Sequence, residues 1–80
     1  MFDLERVRES TAAEIRAEMA RKKITAASLS ARTGMPAATL SRKLNGHVGF
    51  TLDELLKVTG AIDISAADIL RSATAETGAA

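Results

Sequence analysis

Eighty residues with 46% apolar side chains, two Phe and neither Trp, Tyr nor Cys describe one small domain with an aliphatic core, and they exclude disulfides and thiolate metal sites. No apolar run approaches the roughly 18 residues of a membrane span, and the start MFDLERVRES lacks a signal peptide's apolar stretch, so a cytoplasmic chain with no membrane partner is expected. The net charge of +1 hides an uneven distribution: Arg16 to His47 carries seven cations against Glu18 alone, net +6, between ends of −2 (residues 1–15) and −3 (48–80). A basic middle between acidic ends suits a phosphate backbone, and it equally suits a solvated basic face.

The first predicted helix covers about residues 3–22. Ile15 and Met19 lie one turn apart, and Leu4, Val7 and Thr11 extend the same stripe upstream. Thr11-Ala-Ala-Glu14 has the form of a capping box, so a helix starting at Thr11 competes with one long segment. The long segment, with a kink allowed near Ser10-Thr11, is the reading adopted.

Three further helix starts follow one pattern, in which an apolar residue precedes a Ser or Thr N-cap and a second apolar residue sits at the fourth helical position. Ile24-Thr25 with Leu29 opens a helix near 25–33, Phe50-Thr51 with Leu55 one near 51–59, and Ile64-Ser65 with Ile69 one near 65–73. Glu54 completes a capping box at the second of these starts, and Asp68 takes the acidic position at the third. Gly34, Gly46 and Gly60 sit where a left-handed residue would end a helix, and Pro36 suits the first turn of a helix near 36–45. Residues 74–80 have too few large apolar groups to pack and read as a disordered tail. The expected core is Ile15, Met19, Leu29, Leu40, Leu44, Leu52, Leu55, Leu56, Ile62, Ile64, Ile69 and Leu70. No strand pattern competes, so the expected class is all-α with five helices in residues 1–73.

Within this series ITAASLSARTGMPAATLSRKLNG, Ile24 to Gly46, reads as two short helices around a tight glycine turn, the second presenting small and basic side chains. That is the form of a helix-turn-helix at about 25–45, which lays one helix into the DNA major groove. The N-terminus of the first helix offers the Thr25 hydroxyl and free N–H groups such as that of Ala26 to a phosphate, with Lys22 and Lys23 just before it. His47 is the only histidine, so no metal or cofactor site is expected, and an exposed loop residue is its plainer reading. Arg32, late in the first helix, reads as a charge favourable to that helix's C-terminal dipole. Without Cys, a His paired with a nucleophile, or a phosphate-binding glycine fingerprint, no catalytic residue is expected.

Residues 15–70 resemble the phage-repressor and Cro-type helix-turn-helix family, often called XRE-like. The resemblance rests on ITxxxLSxxTG, then MPxxTLSRKLNG, then FTLDELLKVTGAIDISAADIL, with TLSRKLNG its most specific piece. It implies a compact five-helix lambda-repressor-like domain that binds double-stranded DNA, usually as a homodimer on a near-palindromic operator. Helix 25–33 would cross the DNA backbone and helix 36–45 would be the recognition helix. The family's base-contacting positions fall on Ala37, Ala38, Ser41 and Arg42. Alanine methyls would pack on thymine methyls, while the Arg42 fork would meet guanine or clamp a phosphate. Thr39 and Ser41 are short donors for base or phosphate. Lys43, Asn45, Gly46 and His47 fall where the family meets the DNA backbone.

Three departures stand out: Ser30 where the family has alanine, and Thr33 and Lys43 where it has apolar residues. Ser30 is small enough to keep the two helices close, Thr33 is expected to turn its methyl inward, and Lys43 to snorkel outward while Leu44 packs. The function expected is a phage or bacterial repressor acting by operator occupancy, its dimer surface near Ile69 and Leu70 or on the N-terminal helix. An antitoxin, a phage recombination accessory protein, and a protein-interaction module docking a partner on Phe2, Leu4 and Val7 are the alternatives.

Overall fold

A computed structural model describes residues 3–76 of the chain. It contains five helices: α1 (Leu4–Lys22), α2 (Ala26–Thr33), α3 (Ala37–Leu44), α4 (Leu52–Ala61) and α5 (Ala66–Glu76). The long α1 packs on α5 and α3, while α2 lies on α3 and α4.

Helix α1 is uninterrupted, so the helix starting at Thr11 is not formed. Asp3 caps it by accepting from the Arg6 N–H at 3.2 Å. Thr11 lies buried inside the helix, its hydroxyl donating to the Val7 carbonyl at 2.7 Å. The hydroxyl thus finds its acceptor one turn back and no longer competes as a cap.

The three repeated starts form as their pattern predicts. Thr25 accepts from Ser28 N–H at 3.1 Å, Thr51 from Glu54 N–H at 3.2 Å, and Ser65 from Asp68 N–H at 3.4 Å. Ile24, Phe50 and Ile64 each pack against the core that holds Leu29, Leu55 and Ile69. Pro36 is the N-cap of α3 and stands just outside its first turn.

Helix ends depart further from expectation. Gly34 and Gly46 are left-handed, with φ of 75° and 78°, but Gly60 lies inside α4, which runs on to Ala61. The left-handed residues after α1 and α4 are Lys23 (φ 56°) and Asp63 (φ 59°), which accept the strain that glycine would avoid. Both ends close in the same way. Ile24 N–H reaches back to Met19 O and Lys23 N–H to Ala20 O, as Ile64 N–H does to Thr59 O and Asp63 N–H to Gly60 O. Helix α5 continues through residues 74–76, where the sequence predicts a tail; residues 77–80 lie outside the described residues.

The core is Ile15, Met19, Leu29, Met35, Leu40, Leu44, Leu55, Val58, Ile62 and Ile69, with Ile64 partly buried against it. Leu52, Leu56 and Leu70, expected inside, are 68%, 53% and 37% exposed. Leu56 and Leu70 each follow a buried residue, Leu55 or Ile69, and so point about 100° away from it; Leu52 opens α4 at its end. Val58 and Met35 take the interior positions instead, and Leu4 is also exposed.

Candidate nucleic-acid interface

The turn between α2 and α3 is held by the two hydroxyls that depart from the family pattern. Ser30 Oγ donates to the Met35 carbonyl at 2.6 Å. Thr33 Oγ1 donates to the Leu29 carbonyl at 2.8 Å and accepts from Met35 N–H at 3.3 Å. The hydroxyls therefore satisfy the backbone of a turn whose one large side chain, Met35, is buried.

Helix α3 buries Leu40, Lys43 and Leu44. At 100° per residue, Ala38 and Arg42 fall within about 30° of the opposite pole, one turn apart. Ala37, Ala38, Thr39, Ser41 and Arg42 are all exposed. Pro36 offers no side-chain cap, so the first N–H groups of α3 point outward without an intrahelical partner. At the start of α2, Thr25 and Ala26 are likewise exposed, and the Thr25 hydroxyl satisfies only the Ser28 N–H.

Lys43 does not snorkel outward. It is 8% exposed and its ammonium pairs with the Glu54 carboxylate. The same Glu54 oxygen accepts the Thr51 N–H at 2.8 Å, so the pair is built onto the capping box of α4. The Lys43 ammonium, and after it the Thr51 N–H, hold the Glu54 carboxyl below the ordinary carboxylate range. Outward snorkelling loses because a carboxylate already fixed by a backbone N–H lies within reach of the buried stem.

Other members of the basic band are also engaged within the chain. Lys22 Nζ donates to the carbonyls of Ile62 (2.6 Å) and Asp63 (3.0 Å), and Arg32 Nη1 to that of Ala61 (3.0 Å), so Arg32 serves the end of α4 as well as its own helix. Arg21 pairs with Glu18, and Arg16 Nη1 donates to Asn45 Oδ1 at 3.5 Å. Among the described residues, Lys23 and Arg42 alone of the seven cations have no such partner.

Past α3, the N–H groups of Gly46 and His47 close the helix on Lys43 O (3.1 Å) and Arg42 O (3.0 Å). Gly46 is half-buried against α1, where a Cβ would lie 3.4 Å from the Glu9 backbone. That backbone is spent on the fold, while the Asn45 and His47 side chains stay exposed.

The exposed residues of the α2–α3 pair are thus small, hydroxyl-bearing or cationic, among them Thr25 and Ala26 at the start of α2, and Ala37, Ala38, Thr39, Ser41 and Arg42 on α3. Among the described residues no cluster of His, Cys, Asp or Glu could hold a metal ion, and no helix is long and apolar enough to cross a membrane. No curated protein and no solved structure matches the chain. The family model of the Cro/C1-type HTH DNA-binding domain matches residues 14–73. With the helix-turn-helix formed at 26–44 and the match covering most of the sequence, the chain belongs to the Cro/C1-type helix-turn-helix DNA-binding family.

Proposed function

We propose that this protein is a sequence-specific double-stranded DNA-binding regulator that represses by occupying its operator, with α3 in the major groove. The observation that supports this most is the outer face of α3, where the Arg42 side chain stands exposed and without a hydrogen-bond or ion-pair partner among the described residues, one turn from Ala38. Arg42 would offer its fork to guanine O6 and N7, a contact of about 1–3 kcal/mol of discrimination. Ala37 and Ala38 would meet thymine methyls, and Ser41 a base edge. Lys23, Thr25, Ala26, Thr39, Asn45 and His47 would hold the DNA backbone. Lys22, Lys43 and Gly46 leave that set, since their polar groups already serve the fold.

Two copies on one operator would place the half-sites about 34 Å apart. Ile69 is core and cannot form the dimer surface that its neighbour Leu70 offers. A groove of about 410 Å³ runs between Leu4, Val7, Phe50, Leu55 and Leu70, and its apolar walls favour a second copy there. Replacing Leu70 by Lys is expected to lower the mass in solution from dimer to monomer.

The decisive experiment selects duplexes from random DNA with the parent and with Arg42→Ala. The parent should enrich a near-palindromic motif, and the variant should lose preference at one base pair per half-site while keeping its helicity. Failure of the parent to enrich any motif overturns sequence-specific binding, and an unchanged profile in the variant overturns the role of Arg42.

A further inference from the structure

The C-terminus of α4 uses two cations that a DNA backbone would otherwise attract. Thr59 O and Gly60 O accept the N–H groups of Ile64 (3.0 Å) and Asp63 (3.3 Å) in the left-handed closure at Asp63. The next three carbonyls, those of Ala61, Ile62 and Asp63, receive no backbone donor among the described residues. Arg32 and Lys22 take all three, at 3.0, 2.6 and 3.0 Å. Helix α4 has no basic residue in its own last turn, whereas Lys22 ends α1 and Arg32 lies in the last turn of α2. The negative ends of three helix dipoles therefore meet at one place, and cations from two of the helices neutralise the third.

The opposite end of α4 is tied as well, through Glu54 of its capping box to Lys43 of α3. Side-chain hydrogen bonds from α2 otherwise stay within residues 25–35, so Arg32 is the polar tie of α2 to the rest of the fold among the described residues. Helix α4 is thus a strut with α2 fastened at one end and α3 at the other.

We propose that Arg32 and Lys22 are positioning residues for DNA binding: by fastening α2 and α1 to the end of α4, they set the angle at which the start of α2 and the exposed face of α3 meet the duplex, without touching DNA. This rests on the DNA-binding reading above. A phosphate ligand and a positioning residue differ in salt dependence, because each phosphate contact contributes about 0.9 to the slope of log affinity against log salt.

The test titrates the parent, Arg32→Met, Arg32→Lys and Lys22→Met against a duplex enriched by the parent. Titrations run at several salt concentrations and at a temperature where circular dichroism shows each protein folded. Arg32→Met should bind about three- to tenfold more weakly at every salt concentration, on a line parallel to the parent's. Lys22→Met should shift in the same direction, and Arg32→Lys should recover most of the loss. A slope shallower by about 0.9 makes the residue a phosphate ligand and overturns the proposal. Unchanged affinity in a folded variant overturns it too, since a purely structural role lowers only the melting temperature. Should Arg32→Met not fold, Arg32→Gln against Arg32→Lys carries the same two readouts. A parent that binds no duplex overturns the DNA reading and this proposal together, whereas a binding parent with altered slopes in the variants overturns this proposal alone.

Discussion

Replacing Lys43 separates the worth of its stem from the worth of its charge. Lys43 is 8% exposed, and its partner Glu54 keeps 23% of its side chain in solvent and a second donor in the Thr51 N–H. Lys43→Ala deletes the packed stem and leaves Glu54 without its ammonium. Breaking a fully buried pair costs about 3–5 kcal/mol, and the residual hydration and second donor of Glu54 place this case nearer about 2–3 kcal/mol. In a domain of this size that is a fall in melting temperature of about 10–20 °C. Lys43→Met keeps the stem but, like Lys43→Ala, leaves Glu54 without its ammonium, so it should cost about 1–2 kcal/mol, less than Ala by the packing of the stem. The charge also has a pH signature. Glu54 titrates lower in the folded protein than in the unfolded chain, so its stabilisation is complete above the ordinary glutamate value and is lost as pH falls through the folded one. Urea unfolding from about pH 7 to about pH 3 should therefore show a smaller loss of stability in Lys43→Met than in the parent. Equal losses for Ala and Met at neutral pH, or an unchanged acid limb in Lys43→Met, would refute the reasoning.

Leu40, fully buried at the centre of the core, should cost about 2–5 kcal/mol on replacement by Ala, read as a drop in the denaturation midpoint. Asp63→Gly removes a left-handed non-glycine residue at the end of α4, where relief of about 1–2 kcal/mol exceeds the entropy glycine adds, and thermal melts should show a gain of some tenths to about 1 kcal/mol. Thr33→Val keeps the shape but leaves the Met35 N–H without its 3.3 Å acceptor, so stability should fall by about 1–2 kcal/mol, with faster hydrogen exchange at Met35.

Local chemistry made much of this fold legible in the chain. Thr25, Thr51 and Ser65 cap their helices because an N-cap and its staple lie within five residues of one another and need no distant partner. The same holds for Gly34 and Gly46, whose left-handed turns carry no strain. Arg42 and Ala38 could be placed on the outer face of α3 because Leu40 and Leu44 define its inner one. Only the packing of distant segments decided the remainder. Lys23 and Asp63 take the left-handed positions because Ile24 and Ile64 must reach the core directly after them. Gly60 stays helical because α4 has to extend far enough to bury Ile62. Most consequentially, charge counted along the chain says nothing about which carbonyl or carboxylate a lysine will meet. Lys22 finds its partners 40 and 41 residues away and Lys43 finds its own 11 residues away. Of the basic band in sequence, Lys22, Arg32 and Lys43 thus became ties to α4 in three dimensions, while Arg42 and Lys23 have no side-chain partner among the described residues. Hydrogen-bond geometry and burial, which exist only once helices are packed, made that division.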